Sequence, residues 1–182
     1  MNVPNVITMI RIVLVPVIVI FLIDGELLKA LLFFLLAGIG DGLDGFFARA
    51  LNQKTALGAF LDPMADKLLL TTVYVVMAFY HLAPGWLAVL VASRDLLIVA
   101  GLGVLAWNSH FPSMRPTLDS KITTFLQIVT LAYLLSSNYL PGLEWLKVPL
   151  VWATALFTIV SGIRYIIIGF RLLESEELRK DR

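Results

Sequence analysis

Six apolar runs, each close to twenty residues or longer, fill nearly the whole chain: 5–23, 27–49, 61–81, 85–107, 119–138 and 148–172. At 1.5 Å rise per residue, about 20 apolar residues cross the hydrocarbon core of a bilayer as a helix. A segment in lipid must satisfy its own backbone polar groups, and unbroken runs without strict alternation do so as helices. Composition closes off the water-soluble alternative. Apolar residues make up 59% of the 182 and charged residues 15%, against roughly 45–50% and about 25% in ordinary soluble domains. A chain this short has too much surface for its volume to hide that excess from water. The expectation is an all-α integral membrane protein with six transmembrane helices, one membrane domain over 1–182, and a short amphipathic entry segment from Asn2 to Arg11. A soluble enzyme, a disordered chain and a nucleic-acid binder are excluded; the net charge of +1 offers no polyelectrolyte attraction. There is no cysteine, so thiolate chemistry and disulfides are excluded too.

The breaks between runs have chemical reasons: Asp24-Gly25-Glu26, Pro84-Gly85, Pro112 with Arg115-Pro116, and Pro141-Gly142 with Pro149. The first run lacks a small-residue cleavage pattern and is read as a retained span. The charged tail from Glu174 to Arg182 reads as a solvated helix end. His81 and His110 fall near run ends and read as interfacial. Trp86, Trp107, Trp145 and Trp152 sit mostly near boundaries, as an aromatic belt does. In a six-span arrangement, eleven of the fourteen basic residues fall on one side, only Lys29 and Lys147 on the other, and Arg94 lies within a span. That asymmetry places both termini in the cytoplasm.

Acid inside apolar segments carries the chemistry. Asp41 and Asp44 close the second run, three residues apart; Asp62 and Asp66 open the third, four apart. On helices either spacing puts the pair on one face, and the short connection predicts neighbouring antiparallel helices whose acids converge near the cytoplasmic boundary. Taken singly, each acid could cap a helix or join a buried ion pair. Together, four carboxylates cannot all stay charged without compensation, and Arg49 alone is not enough. One or two divalent cations solve the problem; oxygen-only ligands suit Mg²⁺, Mn²⁺ or Ca²⁺, and a two-metal clamp suits phosphoryl transfer. Acids at membrane depth read as functional by default. Gly42, Gly45 and Gly58 clear space beside the acids for a ligand, or for close helix packing.

The run Asp41-x-x-Asp44-Gly45-x-x-Ala48-Arg49, eight residues, then Gly58-x-x-x-Asp62-x-x-x-Asp66 resembles the full signature of the CDP-alcohol phosphatidyltransferase family. The likeness extends over most of the chain, including the opening Pro4-Asn5-x-x-Thr8-x-x-Arg11. It implies an enzyme in which an alcohol attacks the β-phosphorus of a CDP-linked lipid and CMP leaves. It implies Asp41, Asp44 and Asp62 as ligands of Mg²⁺ or Mn²⁺, with Asp66 as general base and possible fourth ligand. Arg49 would hold the pyrophosphate, while Gly45, Ala48, Thr55 and Gly58 would line the cytidine pocket. It also implies a homodimer.

The basic residues outside the signature are the candidates for the acceptor: Arg94, Arg115, Lys121 and Arg164. Each also has a plain reading, as a structural ion pair or a side chain reaching lipid headgroups. The segments Ser93-Arg94-Asp95 and Arg115-Pro116-Thr117-x-x-Ser120-Lys121-x-x-Thr124 look more like family members that join CDP-diacylglycerol to phosphatidylglycerol, giving cardiolipin. The alternative is the branch that uses glycerol 3-phosphate and gives phosphatidylglycerophosphate. A divalent-cation transporter is the remote third reading; it would need polar groups through the full membrane depth, whereas these acids gather at one boundary.

Overall fold

The computed structural model describes the backbone over 3–50, 56–107 and 118–180, and side-chain surroundings over 9–40, 67–101 and 118–169. Within these limits the regular elements are all helical: α1 Val3–Ile23, α2 Leu27–Ala50, α3 Ala56–Phe79, α4 Gly85–Trp107, α5 Leu118–Ser136 and α6 Lys147–Lys180. Two short 3₁₀ turns, Ser137–Tyr139 and Glu144–Leu146, join the last two. The expected entry segment is not separate, because α1 runs unbroken from Val3, and Arg11, the last residue of that segment, is buried. Pro4 sits in the first turn, where its missing N–H costs nothing.

The turns are built by helix-ending geometry. Gly25, at φ +74°, ends α1: its N–H donates to Leu22 O at 3.2 Å, and Glu26 N–H donates to Phe21 O at 2.9 Å. This is the paired C-terminal arrangement that requires a left-handed residue. His81 does the same after α3, at φ +57°, with its own N–H to Ala78 O and Leu82 N–H to Met77 O. Its place at the end of a run is therefore a capping position.

Each of the first four helices turns a stripe with helical spacing toward the core: Val15, Ile18 and Leu22; Leu27, Ala30, Phe34 and Ala37; Leu70, Val73, Tyr74 and Met77; Leu87, Val91, Asp95 and Ile98. α1 packs on α2 and α3, α2 on α5, α5 on α6, α6 on α4 and α4 on α3. The six helices thus close a ring in the order α1, α2, α5, α6, α4, α3, and α3 also touches α5 across it. The described parts of α2 and α3 are linked through α1, which lies against both.

The α5–α6 seam is polar. Thr123, Gln127, Thr130, Thr154, Thr158 and Ser161 are all fully buried. Thr130 and Thr154 share a hydrogen bond at 2.7 Å, Thr123 Oγ1 donates to Phe157 O at 3.0 Å, and Gln127 Nε2 donates to Thr158 Oγ1 at 3.4 Å. The outward face is the reverse: Phe79, Val89, Leu96, Phe125 and Leu156 are each more than half exposed. Among the described residues, two stretches are long and apolar enough to cross a membrane, Leu118–Tyr139 and Glu144–Gly169.

Candidate active site

The four acids stand on two helices. Asp41 and Asp44, with Gly45, Ala48 and Arg49, lie in the last turns of α2; Gly58, Asp62 and Asp66 lie in the first turns of α3. Helical backbone at both places keeps Asp41 with Asp44, and Asp62 with Asp66, on one face of each helix. The side chains of these residues, and Thr55 and Arg115 altogether, lie outside the described residues.

Lys67, the residue after Asp66, belongs to a buried charge cluster. Asp95, in α4, occupies the core stripe between Val91 and Ile98 and is 4% exposed. Its Oδ1 accepts from Lys67 Nζ at 3.0 Å and from Arg94 Nη1 at 2.7 Å, and its Oδ2 accepts from Thr71 Oγ1 at 3.2 Å. Arg94, 3% exposed, makes three further bonds: Nη2 to Ser120 Oγ at 2.7 Å, Nη2 to Ser161 Oγ at 2.9 Å, and Nε to Ser161 Oγ at 3.3 Å. The Tyr165 ring lies 5.8 Å from the guanidinium carbon, at cation–π distance. Buried charges persist only when paired and hydrogen-bonded, and here four helices supply the partners.

Of the basic residues expected at the acceptor, Arg94 is thus held by α4, α5 and α6. Arg164 is ion-paired with Asp119 at the exposed surface. Lys121 is exposed on α5, next to Ser120. The structure therefore brings Ser120 to Arg94, joining two segments that lie 26 residues apart. Sequence reasoning missed Lys67, Thr71 and Ser161. The hydroxyl periodicity along α5 and α6 is the signal that points to Ser161; in sequence, Lys67 is one of the eleven basic residues that fall on one side.

Comparison with known proteins gives the family. The family model for CDP-alcohol phosphatidyltransferases matches residues 1–160, and the chain belongs to that family. It is 33% identical to a CDP-diacylglycerol–glycerol-3-phosphate 3-phosphatidyltransferase of Bacillus subtilis, over 90% of this chain and 93% of that one. It is 31% identical to the human cardiolipin synthase (CMP-forming), over 95% of this chain and 63% of the longer human protein. A glycerol-3-phosphate 3-phosphatidyltransferase of Shigella flexneri is 32% identical, over 91% and 93%. The chain is an enzyme with CDP-alcohol phosphatidyltransferase activity.

Proposed function

We propose that this enzyme transfers the phosphatidyl group of CDP-diacylglycerol to phosphatidylglycerol, giving cardiolipin and CMP. The observation that carries the acceptor is the meeting of Arg94-Asp95 with Ser120, the two segments in which the sequence looks like the cardiolipin-forming branch. Of the four basic residues expected at the acceptor, Arg94 and Arg164 are bonded to protein groups. That leaves Lys121 and Arg115 as the acceptor contacts, with Arg94 and Arg164 behind them. A phosphodiester with one charge needs fewer cationic partners than the phosphomonoester of glycerol 3-phosphate.

In this reading the acceptor hydroxyl oxygen attacks the β-phosphorus, the bond from that phosphorus to CMP breaks, and Asp66 takes the hydroxyl proton. Arg49 holds the pyrophosphate, and Gly45, Ala48, Thr55 and Gly58 leave room for the cytidine. Asp41, Asp44, Asp62 and Asp66 form a hard oxygen donor set that fits one or two Mg²⁺ or Mn²⁺ ions. Such ions supply charge neutralisation at the transferring phosphoryl group. The whole chain forms one six-span membrane domain, acts as a homodimer, and keeps both termini and the active site on the cytoplasmic side. The exposed apolar faces and the basic asymmetry support that placement. With two lipid substrates, the site opens sideways to the bilayer.

The test is CMP release by purified protein with CDP-diacylglycerol and Mg²⁺ or Mn²⁺, with each acceptor offered separately. Phosphatidylglycerol is expected to react and EDTA to stop turnover. CMP release with glycerol 3-phosphate alone would move the enzyme to the other branch.

A further inference from the structure

Counted over the described residues alone, the buried cluster carries an unbalanced charge. Lys67 and Arg94 bring two positive charges and Asp95 one negative, leaving +1 in a region where Arg94 and Asp95 are almost wholly removed from solvent. The two cations are placed differently. Four bonds from protein groups pin the guanidinium of Arg94. Lys67 has a single bond, to Asp95, and its side chain is 18% exposed. An ammonium has three N–H donors, so two remain unused among the described residues. Asp95 cannot neutralise Lys67 alone, because the same Oδ1 also serves Arg94. Lys67 follows Asp66 directly in α3, and Asp62 stands five residues before it on the same helix.

We propose that Lys67 is a phosphate-contacting residue of the transfer site, and that Arg94, Asp95 and Thr71 are positioning residues that present it. The surplus charge is matched by a phosphate oxyanion, from either the pyrophosphate of the CDP-lipid or the acceptor's phosphate. A preorganised cation at a dry, low-dielectric boundary binds an anion far better than a solvated one does. Anchoring at one N–H fixes the ammonium while leaving its other donors for the ligand. Arg94 then acts through Asp95 rather than on substrate. This rests on the transferase reading above.

The experiment compares full-length unsubstituted enzyme with Lys67→Gln, Lys67→Arg, Thr71→Val and, as a remote control, Lys29→Ala, whose side chain pairs with Glu26. KM and kcat are measured for both lipids, and the Mg²⁺ requirement at saturating substrate. Binding of CDP-diacylglycerol and of phosphatidylglycerol or glycerol 3-phosphate is also measured without turnover. Lys67→Gln is expected to weaken one phosphate substrate by about 10-fold or more, the scale of one hydrogen bond to a charged group. Lys67→Arg is expected to restore part of the loss, and Thr71→Val to shift the same substrate's KM by a smaller factor. The affected substrate identifies the source of the phosphate. A changed Mg²⁺ requirement with both lipid affinities intact would overturn the proposal, making Lys67 a counter-ion of the acids. So would unchanged binding of both lipids by Lys67→Gln. Thermal stability and the milder Thr71→Val separate a folding defect from a binding one. Failure of the unsubstituted enzyme to release CMP while still binding both lipids would count against the transferase reading, not against Lys67.

Discussion

Asp66 and Asp95 are both acids in apolar helices, and opposite tasks are expected of them. Asp95 is surrounded by donors: Lys67, Arg94 and Thr71 occupy its oxygens, and its charge organises the cluster. Removing one partner of a buried ion pair costs about 3–5 kcal/mol, because the other charge stays behind unpaired. Asp95→Leu strands two cations and is expected to lower the melting temperature sharply; equal stability to the unsubstituted protein would show the cluster to be dispensable. Asp66 is expected to affect the rate instead. If it accepts the acceptor's proton, Asp66→Asn loses about 10²–10⁴-fold in kcat while CDP-lipid binding largely survives. A parallel loss of nucleotide affinity would assign it mainly to the metal.

At the scale of elements, the polar seam of α5 and α6 would do, in the proposed membrane placement, what apolar packing cannot do in lipid, where the hydrophobic effect no longer distinguishes a neighbouring helix from acyl chains. The shared hydroxyl bond of Thr130 and Thr154 invites a double-mutant cycle with valine at both positions. The expected coupling is about 0.6 kcal/mol, and at most about 1.7 kcal/mol; strict additivity would mean that the bond contributes nothing. The runs 27–49 and 85–107 anticipate α2 and α4 to within a residue, because hydropathy, length and glycine or proline punctuation agree there. α3 starts at Ala56 rather than 61, and α6 continues to Lys180 rather than 172. Both extensions run through charged or glycine-bearing turns, where hydropathy ends but helical hydrogen bonding does not. The acids and Arg94-Asp95 stood out as charges in apolar sequence. Their partners did not, because Thr71 and Ser161 are ordinary helix residues until folding places them 3.2 Å from Asp95 Oδ2 and 2.9 Å from Arg94 Nη2.

For the molecule as a whole, the absence of cysteine makes topology directly measurable, since an introduced thiol has no background. On the proposed orientation, Ser175→Cys is expected to react with a membrane-impermeant maleimide only from the cytoplasmic side. Asn138→Cys, in the 3₁₀ turn after α5, is expected to react only from the opposite side. Labelling of both from one side would refute an even number of spans with this orientation.

In the six-span arrangement proposed above, the ring order has a consequence for how the protein is made. Chains emerge from the ribosome N-terminus first, so α4 leaves before the hydroxyls of Ser120 and Ser161 exist to meet Arg94. An unaccompanied arginine at mid-helix is costly to insert into a bilayer. Here the neighbouring Asp95 travels in the same helix, and Lys67 and Thr71 have already arrived on α3. The nascent chain therefore carries its own provisional counter-charge, and α5 and α6 complete an assembly begun one helix earlier. An arginine at position 94 without its aspartate neighbour is expected to stall at the translocon rather than only unfold later.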